Sequence, residues 1–165
     1  MDRKRTIRSH TTKEDDTMRG FEKARDYEQL EFEMPKRGTK HSAGYDIALI
    51  EELVIPAGEM RMGITGVKVY MMEDEVLKIY PRSSLSRRYH LTLANNVGII
   101  DSDYYNNPDN DGHIGITLRN FGTTDVVIKK GERVAQGIFS KFLTATNEKD
   151  VLTKRRGGFG STGKN

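Results

Sequence analysis

From Leu30 onward, apolar residues recur at every second position. Leu30, Phe32 and Met34 alternate with Glu31 and Glu33, and Met60, Met62 and Ile64 repeat the pattern. Val67, Val69 and Met71, then Leu91 and Leu93, then Ile114, Ile116 and Leu118 continue it. A period of two belongs to strands that bury one face. Turn-forming groups punctuate these runs at the intervals of sandwiches and barrels: Pro56-Ala57-Gly58, Gly63, Gly66, Asn95-Asn96, Asn106 to Gly112, Gly122 and Lys130-Gly131-Glu132. Only Phe21 to Gln29 and Ser84 to Tyr89 carry a helical pattern. The chain is predicted to be an all-β domain without internal repeats.

The ends differ from the middle. Met1 to Thr17 are polar and of mixed charge with one isolated Ile7, so residues 1–17 are expected to form a disordered extension, with Met18 as the functional start. Residues 18–153 form the expected β-domain, and 154–165 a mobile glycine-rich arm. At 165 residues the chain fits one domain with a sizeable core. It is 31% charged and 35% apolar, with no run of eighteen apolar residues, so a soluble protein without a membrane partner is expected. The absence of cysteine excludes disulfides and thiolate metal sites and fits a cytoplasmic setting. A net charge of +3, widely dispersed, does not argue for a nucleic-acid partner.

Candidate chemistry lies between the strands. Pro81-Arg82-Ser83-Ser84 sets a guanidinium beside two hydroxyls, which suits phosphate oxygens and equally suits a capped turn. Asp101-Ser102-Asp103-Tyr104 follows the apolar Val97 to Ile100, so its carboxylates emerge at the mouth of an expected buried hairpin. There a carboxylate orients water, holds a metal or simply charges a turn. Gln136 interrupts an apolar run after Gly131-Glu132-Arg133-Val134-Ala135, where its amide needs a partner, as an edge residue or a functional one. Asp46, after Ala43-Gly44-Tyr45, reads as a structural ion pair. His10, His41, His90 and His113 share no metal spacing and are expected to face solvent.

The C-terminal segment Arg155-Arg156-Gly157-Gly158-Phe159-Gly160-Ser161-Thr162-Gly163-Lys164-Asn165 matches both GxxxxGK and GxGxxG. Both templates require a helix directly after the loop, and Asn165 stands where a P-loop carries Ser or Thr. Both matches are therefore expected to be chance. What remains is a segment with cations, hydroxyls, open backbone and one aromatic, which reads as a disordered tail or as an arm that closes on an anion.

Taken in order, these segments resemble the motifs of the trimeric dUTP pyrophosphatases (dUTPases). They are Ser42 to Asp46, Pro81 to Leu85, Asn95 to Tyr104, Gly131 to Gln136 and Arg156 to Gly163, and the resemblance runs from about Arg19 to the C-terminus. It implies a jelly-roll-like β-barrel or sandwich and hydrolysis of dUTP to dUMP and pyrophosphate with Mg²⁺, limiting uracil in DNA and supplying dUMP. It also implies a homotrimer whose sites are shared between subunits. By resemblance Asp101 is the base that aims water at the α-phosphorus, and Tyr104 lies against the deoxyribose. Asn95, Gly98, Ile99 and Ile100 would read uracil. Arg82, Ser83, Ser84 and Gln136 would hold the phosphates. Mg²⁺ would be held mainly by the triphosphate, with Asp46 reaching it through water. In the arm, Phe159 would stack on uracil, Arg156 would meet the γ-phosphate, and Gly160, Ser161 and Thr162 would add donors.

This chain departs from the pattern twice. Lys154 stands where many members have Arg, which leaves Lys154, Arg155 and Arg156 as candidates for the γ-phosphate. The loop Tyr105 to His113 replaces a short turn; it either alters a subunit contact or hangs in solvent, and its lack of strongly apolar residues favours solvent. Two other functions are compatible with parts of the sequence. dCTP deaminases share the fold but need a glutamate base, and no match to their motif is found. A dUTPase-like binding protein, switched by nucleotide for a regulatory partner such as a repressor, is the non-enzymatic alternative.

Overall fold

The computed structural model describes residues 18–149. The expected extension 1–17 and the arm 154–165, with Arg156, Phe159, Gly160, Ser161 and Thr162, lie outside the described residues. The strands are β1 (Gly20–Lys23), β2 (Lys36–Arg37), β3 (Tyr45–Ala48), β4 (Leu53–Ile55), β5 (Met60–Ile64) and β6 (Val67–Tyr70). β7 (Glu75–Pro81) leads into the single α-helix among the described residues, α1 (Ser83–Tyr89). Then come β8 (Leu91–Leu93), β9 (Gly98–Asp101), β10 (Gly115–Asn120), β11 (Val126–Ile128) and β12 (Arg133–Lys141).

One sheet runs β2-β3-β12-β7-β9 and another β5-β10-β8, while β1-β6 and β4-β11 form ribbons. Every pairing is antiparallel. Residues from both larger sheets meet in one core: Ile47, Leu77, Ile79 and Val134 from the first, Leu91, Leu93, Ile116 and Leu118 from the second. Burial of each such side chain contributes about 1.5–3 kcal/mol, so the inward half of each alternating strand dictates how the sheets meet. The result is the expected all-β, jelly-roll-like fold, with the expected short helix after Pro81.

The alternation misleads in three places. Leu30–Met34 has no strand partner among the described residues. Phe32 and Met34 do pack against the core, but Lys23 Nζ donates to the Leu30 carbonyl at 2.5 Å, and Pro35 brings no N–H to a ladder. Phe21 belongs to β1 rather than to a helix, because its ring packs against Tyr45 and Phe139 at centroid distances of 5.4 and 5.5 Å. Only Arg25–Tyr27 forms a 3₁₀ turn there. β5 forms, yet Met60 and Met62 are exposed and Gly63 is buried inside the strand. A Cβ at Gly63 would come within 2.6 Å of Leu49, so this glycine marks a close approach and not a turn.

The loop Tyr105 to His113 does not hang in solvent. Asn107 and Asp111 are buried at 3% and 8% exposure. Asp111 accepts from Lys68 Nζ at 2.9 Å and from the Arg25 N–H at 2.8 Å, and pairs with the Arg25 guanidinium at 3.0 Å. Lys68 donates also to Asn106 at 2.6 Å, and the Tyr105 hydroxyl to Glu22 at 2.6 Å. Asn106, Pro108 and Asp109 are exposed, but Asn107 and Asp111 turn inward to polar partners. His113 departs from expectation for the same reason. Half-buried against Tyr27, it accepts the Gly66 N–H on Nε2 at 3.1 Å. Burial holds its pKa below the ordinary histidine value, although Asp26 opposes the shift.

These contacts predict two stability effects. Asp111→Ala strands the buried Lys68 ammonium and is expected to cost about 3 kcal/mol in urea unfolding. Arg25→Ala, removing a largely exposed partner, should cost less than about 1 kcal/mol. The second concerns pH. With a depressed folded-state pKa, His113 is protonated first in the unfolded chain, so its share of stability is complete above about pH 6.5 and is lost as pH falls through the folded-state value. Melting temperature should therefore fall on mild acidification, before Asp111 and Glu75, whose pKa values are also lowered, begin to titrate. His113→Gln keeps an acceptor for Gly66 without a proton to gain and should flatten that part of the profile.

Candidate active site

The hairpin expected around Asn95 to Ile100, with Asp101 at its mouth, is a splayed one. β8 pairs with β10, Leu93 opposite Leu118, whereas β9 pairs with β7, Gly98 opposite Ile79 and Asp101 opposite Val76. The two strands thus enter different sheets. The turn between them closes locally, with Asn96 at φ 61° and the Val97 N–H donating to the Asn95 carbonyl at 2.7 Å. A cavity of about 530 Å³ opens in the gap. Ile79, Leu93, Ile114 and Ile116 give it apolar walls, and Asn95, Asp101, Tyr104 and Thr117 supply polar groups. An apolar slot with a few convergent polar groups suits a flat heterocycle with a polar substituent.

Of the residues singled out in the sequence, Asn95, Gly98, Ile99, Ile100, Asp101 and Tyr104 all line this cavity. Gly98 makes a close approach: a Cβ there would lie 3.0 Å from the Ile79 side chain, which would have to yield by a few tenths of an ångström. Asp101 ends β9 and leads into the 3₁₀ turn Ser102–Tyr104, which sets its carboxylate and the buried Tyr104 ring on one wall. Sequence reasoning missed the opposite wall, Met60 and Ala94 with Ile114 to Thr117, since those residues read only as strand core.

A second constellation gathers around Asp46. Its carboxylate pairs with the Arg82 guanidinium at 3.1 Å and with Arg133 at 3.2 Å, joining β3, the start of α1 and the start of β12. Gln136 is not on an edge, since β12 lies between β3 and β7, and its amide donates weakly to the Pro81 carbonyl at 3.4 Å. Gly44 leaves room for that amide: a Cβ there would fall 2.3 Å from Gln136 Oε1. Arg82 and Ser84 face a recess of about 230 Å³ with Arg88, Tyr89 and Arg133, while Ser83 is exposed in the first turn of α1. The Tyr89 hydroxyl donates to Glu132, and this bond, with burial, raises its pKa. Three guanidiniums against two carboxylates leave the recess basic. Arg133, the residue sequence reading passed over, could have been found by its position in the Gly131 to Gln136 segment.

The two constellations lie at opposite ends of β7. Asp101 sits beside Val76, and Arg82 follows Pro81, so about 17 Å of strand separates them at ~3.3 Å per residue. They share no lining residue. Among the described residues, no group of three or more His, Cys, Asp or Glu gathers as a metal cage.

A profile of the dUTPase family matches residues 30–163. The chain is 51% identical over 147 residues to the deoxyuridine 5'-triphosphate nucleotidohydrolase of Lactococcus lactis subsp. lactis, a match covering 88% of this chain and 98% of that one. It is 38% identical to the protein of the same name from Rickettsia akari, covering 86% and 95%. Among solved structures, the crystal structure of dUTPase from Streptococcus mutans superposes with a TM-score of 0.72 at 45% identity, covering 78% of this chain and 99% of that one.

Proposed function

This chain belongs to the dUTPase family and hydrolyses dUTP to dUMP and pyrophosphate, and we propose that it does so at sites assembled between subunits, with Asp101 aiming the attacking water. The observation that carries the proposal is the length of β7. A base at one of its ends and phosphate-binding groups at the other, about 17 Å away, are too far apart to serve one triphosphate. A neighbouring copy presenting its Arg82 end to this chain's Asp101 end removes the difficulty, and a homotrimer does so at every interface with closed symmetry.

In this reading uracil enters the gap between β8 and β9. Backbone groups of Asn95 to Ile100 and the Asn95 amide imitate a pairing partner, rejecting cytosine's amine by mismatched donors and thymine's methyl by shape. Tyr104 forms the wall against the deoxyribose, where a 2'-hydroxyl would meet a ring instead of a partner. Asp101 accepts a proton from water as it attacks the α-phosphorus in line, a contribution of roughly 10²- to 10⁴-fold from a positioned base. Arg82, Ser83, Ser84 and Gln136 of the adjoining subunit hold the leaving pyrophosphate, and Asp46 keeps Arg82 and Arg133 aimed.

The donor set suits Mg²⁺ without a protein cage, since Mg²⁺ is commonly held by substrate phosphates, water and one or two carboxylates. Asp46 is the carboxylate that would meet its water shell, and the ion would neutralise charge gathering on the phosphates. The arm bearing Arg156, Phe159, Gly160, Ser161 and Thr162 is proposed to close over the nucleotide and exclude water.

Two experiments test this account. Asp101→Asn and Arg82→Ala are each expected to abolish most turnover in a pyrophosphate-release assay. Coexpressed in equal amounts, they should regain activity at about one quarter of the sites, because a shared site is intact whenever each defect falls on the other's subunit. Mixed oligomers that stay inactive would refute the shared site. Separately, Gly44→Ala should displace the Gln136 amide at little cost in stability, since the clash is with the end of a flexible side chain. It is expected to lower kcat/KM about tenfold while changing unfolding free energy by no more than about 1 kcal/mol.

A further inference from the structure

The loop Tyr105 to His113 does more than fill space. Its partners converge on Tyr104. The Tyr104 hydroxyl donates to the His113 carbonyl at 2.9 Å and accepts from Asn110 Nδ2 at 2.8 Å. The orientation of the Asn110 amide follows from its other contacts. Its Oδ1 faces the Gly112 N–H at 3.2 Å, which can only donate, and Asn107 Nδ2 at 2.7 Å, so its Nδ2 must turn toward the phenol. Asn107 also donates to the Tyr104 carbonyl at 3.0 Å, and its own Oδ1 accepts from the Asp109 and Asn110 N–H groups at 3.0 and 3.2 Å.

Tyr104 is therefore held at both ends, the main-chain carbonyl and the ring hydroxyl. The bracket that holds it is anchored to Lys68 and Arg25 through Asp111. Gly112 completes the bracket: at φ 83° it passes so close that a Cβ would lie 2.7 Å from the Tyr104 carbonyl oxygen.

We propose that Asn110 is a positioning residue for sugar discrimination: its amide stiffens Tyr104, so that the ring cannot recoil to admit a 2'-hydroxyl. The proposal rests on the reading that Tyr104 lies against the deoxyribose. Discrimination by steric contact is only as strong as the wall is stiff. A ring free to tilt by a few tenths of an ångström would yield to one extra oxygen, and a ring tethered through its hydroxyl does not. Because the tether belongs to the loop in which this chain departs from the pattern it resembles, sugar selectivity here depends on residues outside the motifs.

The test compares kcat/KM for dUTP and UTP in the full-length protein and in Asn110→Ala, Tyr104→Phe, the double variant and Tyr104→Ala, with a thermal melt of each. Asn110→Ala should raise UTP use relative to dUTP about fivefold, the scale of one hydrogen bond. Tyr104→Phe deletes the same bond from its other end, together with the donation to the His113 carbonyl, while keeping the ring, so it should shift the ratio in the same direction and at least as far, even if Asn110→Ala folds poorly. In the double variant the Asn110 substitution should add nothing further. A general structural role would lower both substrates equally, and that result, or additive effects in the double variant, overturns the proposal. If Tyr104→Ala leaves the ratio unchanged, Tyr104 does not read the sugar and the underlying reading fails. If Tyr104→Ala shifts it and Asn110→Ala does not, only the tether fails.

Discussion

The site depends on one constraint, the parting of β8 and β9 into different sheets. A hairpin whose strands bonded to each other would satisfy their backbone groups and leave no room between them. Here β8 bonds to β10 and β9 to β7, and each is the edge strand of its sheet, so the strands diverge while each keeps one row of N–H and C=O groups that no strand pairs among the described residues. The cavity thus opens between two sheet edges, where backbone donors and acceptors can meet a ligand. Its shape belongs to the two sheets, and Leu93, Ile79, Ile114 and Ile116 serve at once as core and as cavity wall.

The same sheet explains why the chemistry is divided. β7 lies next to β9 on one side and β12 on the other, and each neighbour brings a different functional group. β9 carries Asp101 to the Val76 end, while β12 delivers Gln136 and Arg133 near the Pro81 end, where α1 begins. Asp46, on β3, closes that second group by pairing with both arginines. A single strand thus acts as a spacer between the Asp101 end and the arginine end. In the proposed function, this spacing is what a site shared between subunits would bridge.

Much of this was legible in the residues. Alternation located β6, β8 and β10, and the motif segments cluster in space: Asn95, Gly98 to Asp101 and Tyr104 border one cavity, while Asp46, Arg82 and Gln136 gather at the other end of β7. What escaped had a common cause, the dependence of a residue's meaning on a partner distant in sequence. Leu30 to Met34 alternates correctly but has no strand to pair with among the described residues. Met60 and Met62 alternate correctly but point outward. Gly63 resembles a turn residue until Leu49 is seen beside it. The polar loop and His113 resembled solvent-facing chain because Lys68, Arg25 and Gly66, which bond to them, lie far away along the sequence. Pattern reveals which way a residue can face, and only packing shows what it meets there.

Asp111 has its counter-ions outside its own loop, one on β6 and one just after β1. A chimera that received the segment Tyr105 to His113 without Lys68 and Arg25 would import a carboxylate with no cation to neutralise it. The transplantable unit is therefore a discontinuous set of positions, and recombination between relatives would be expected to inherit these residues together or lose the graft.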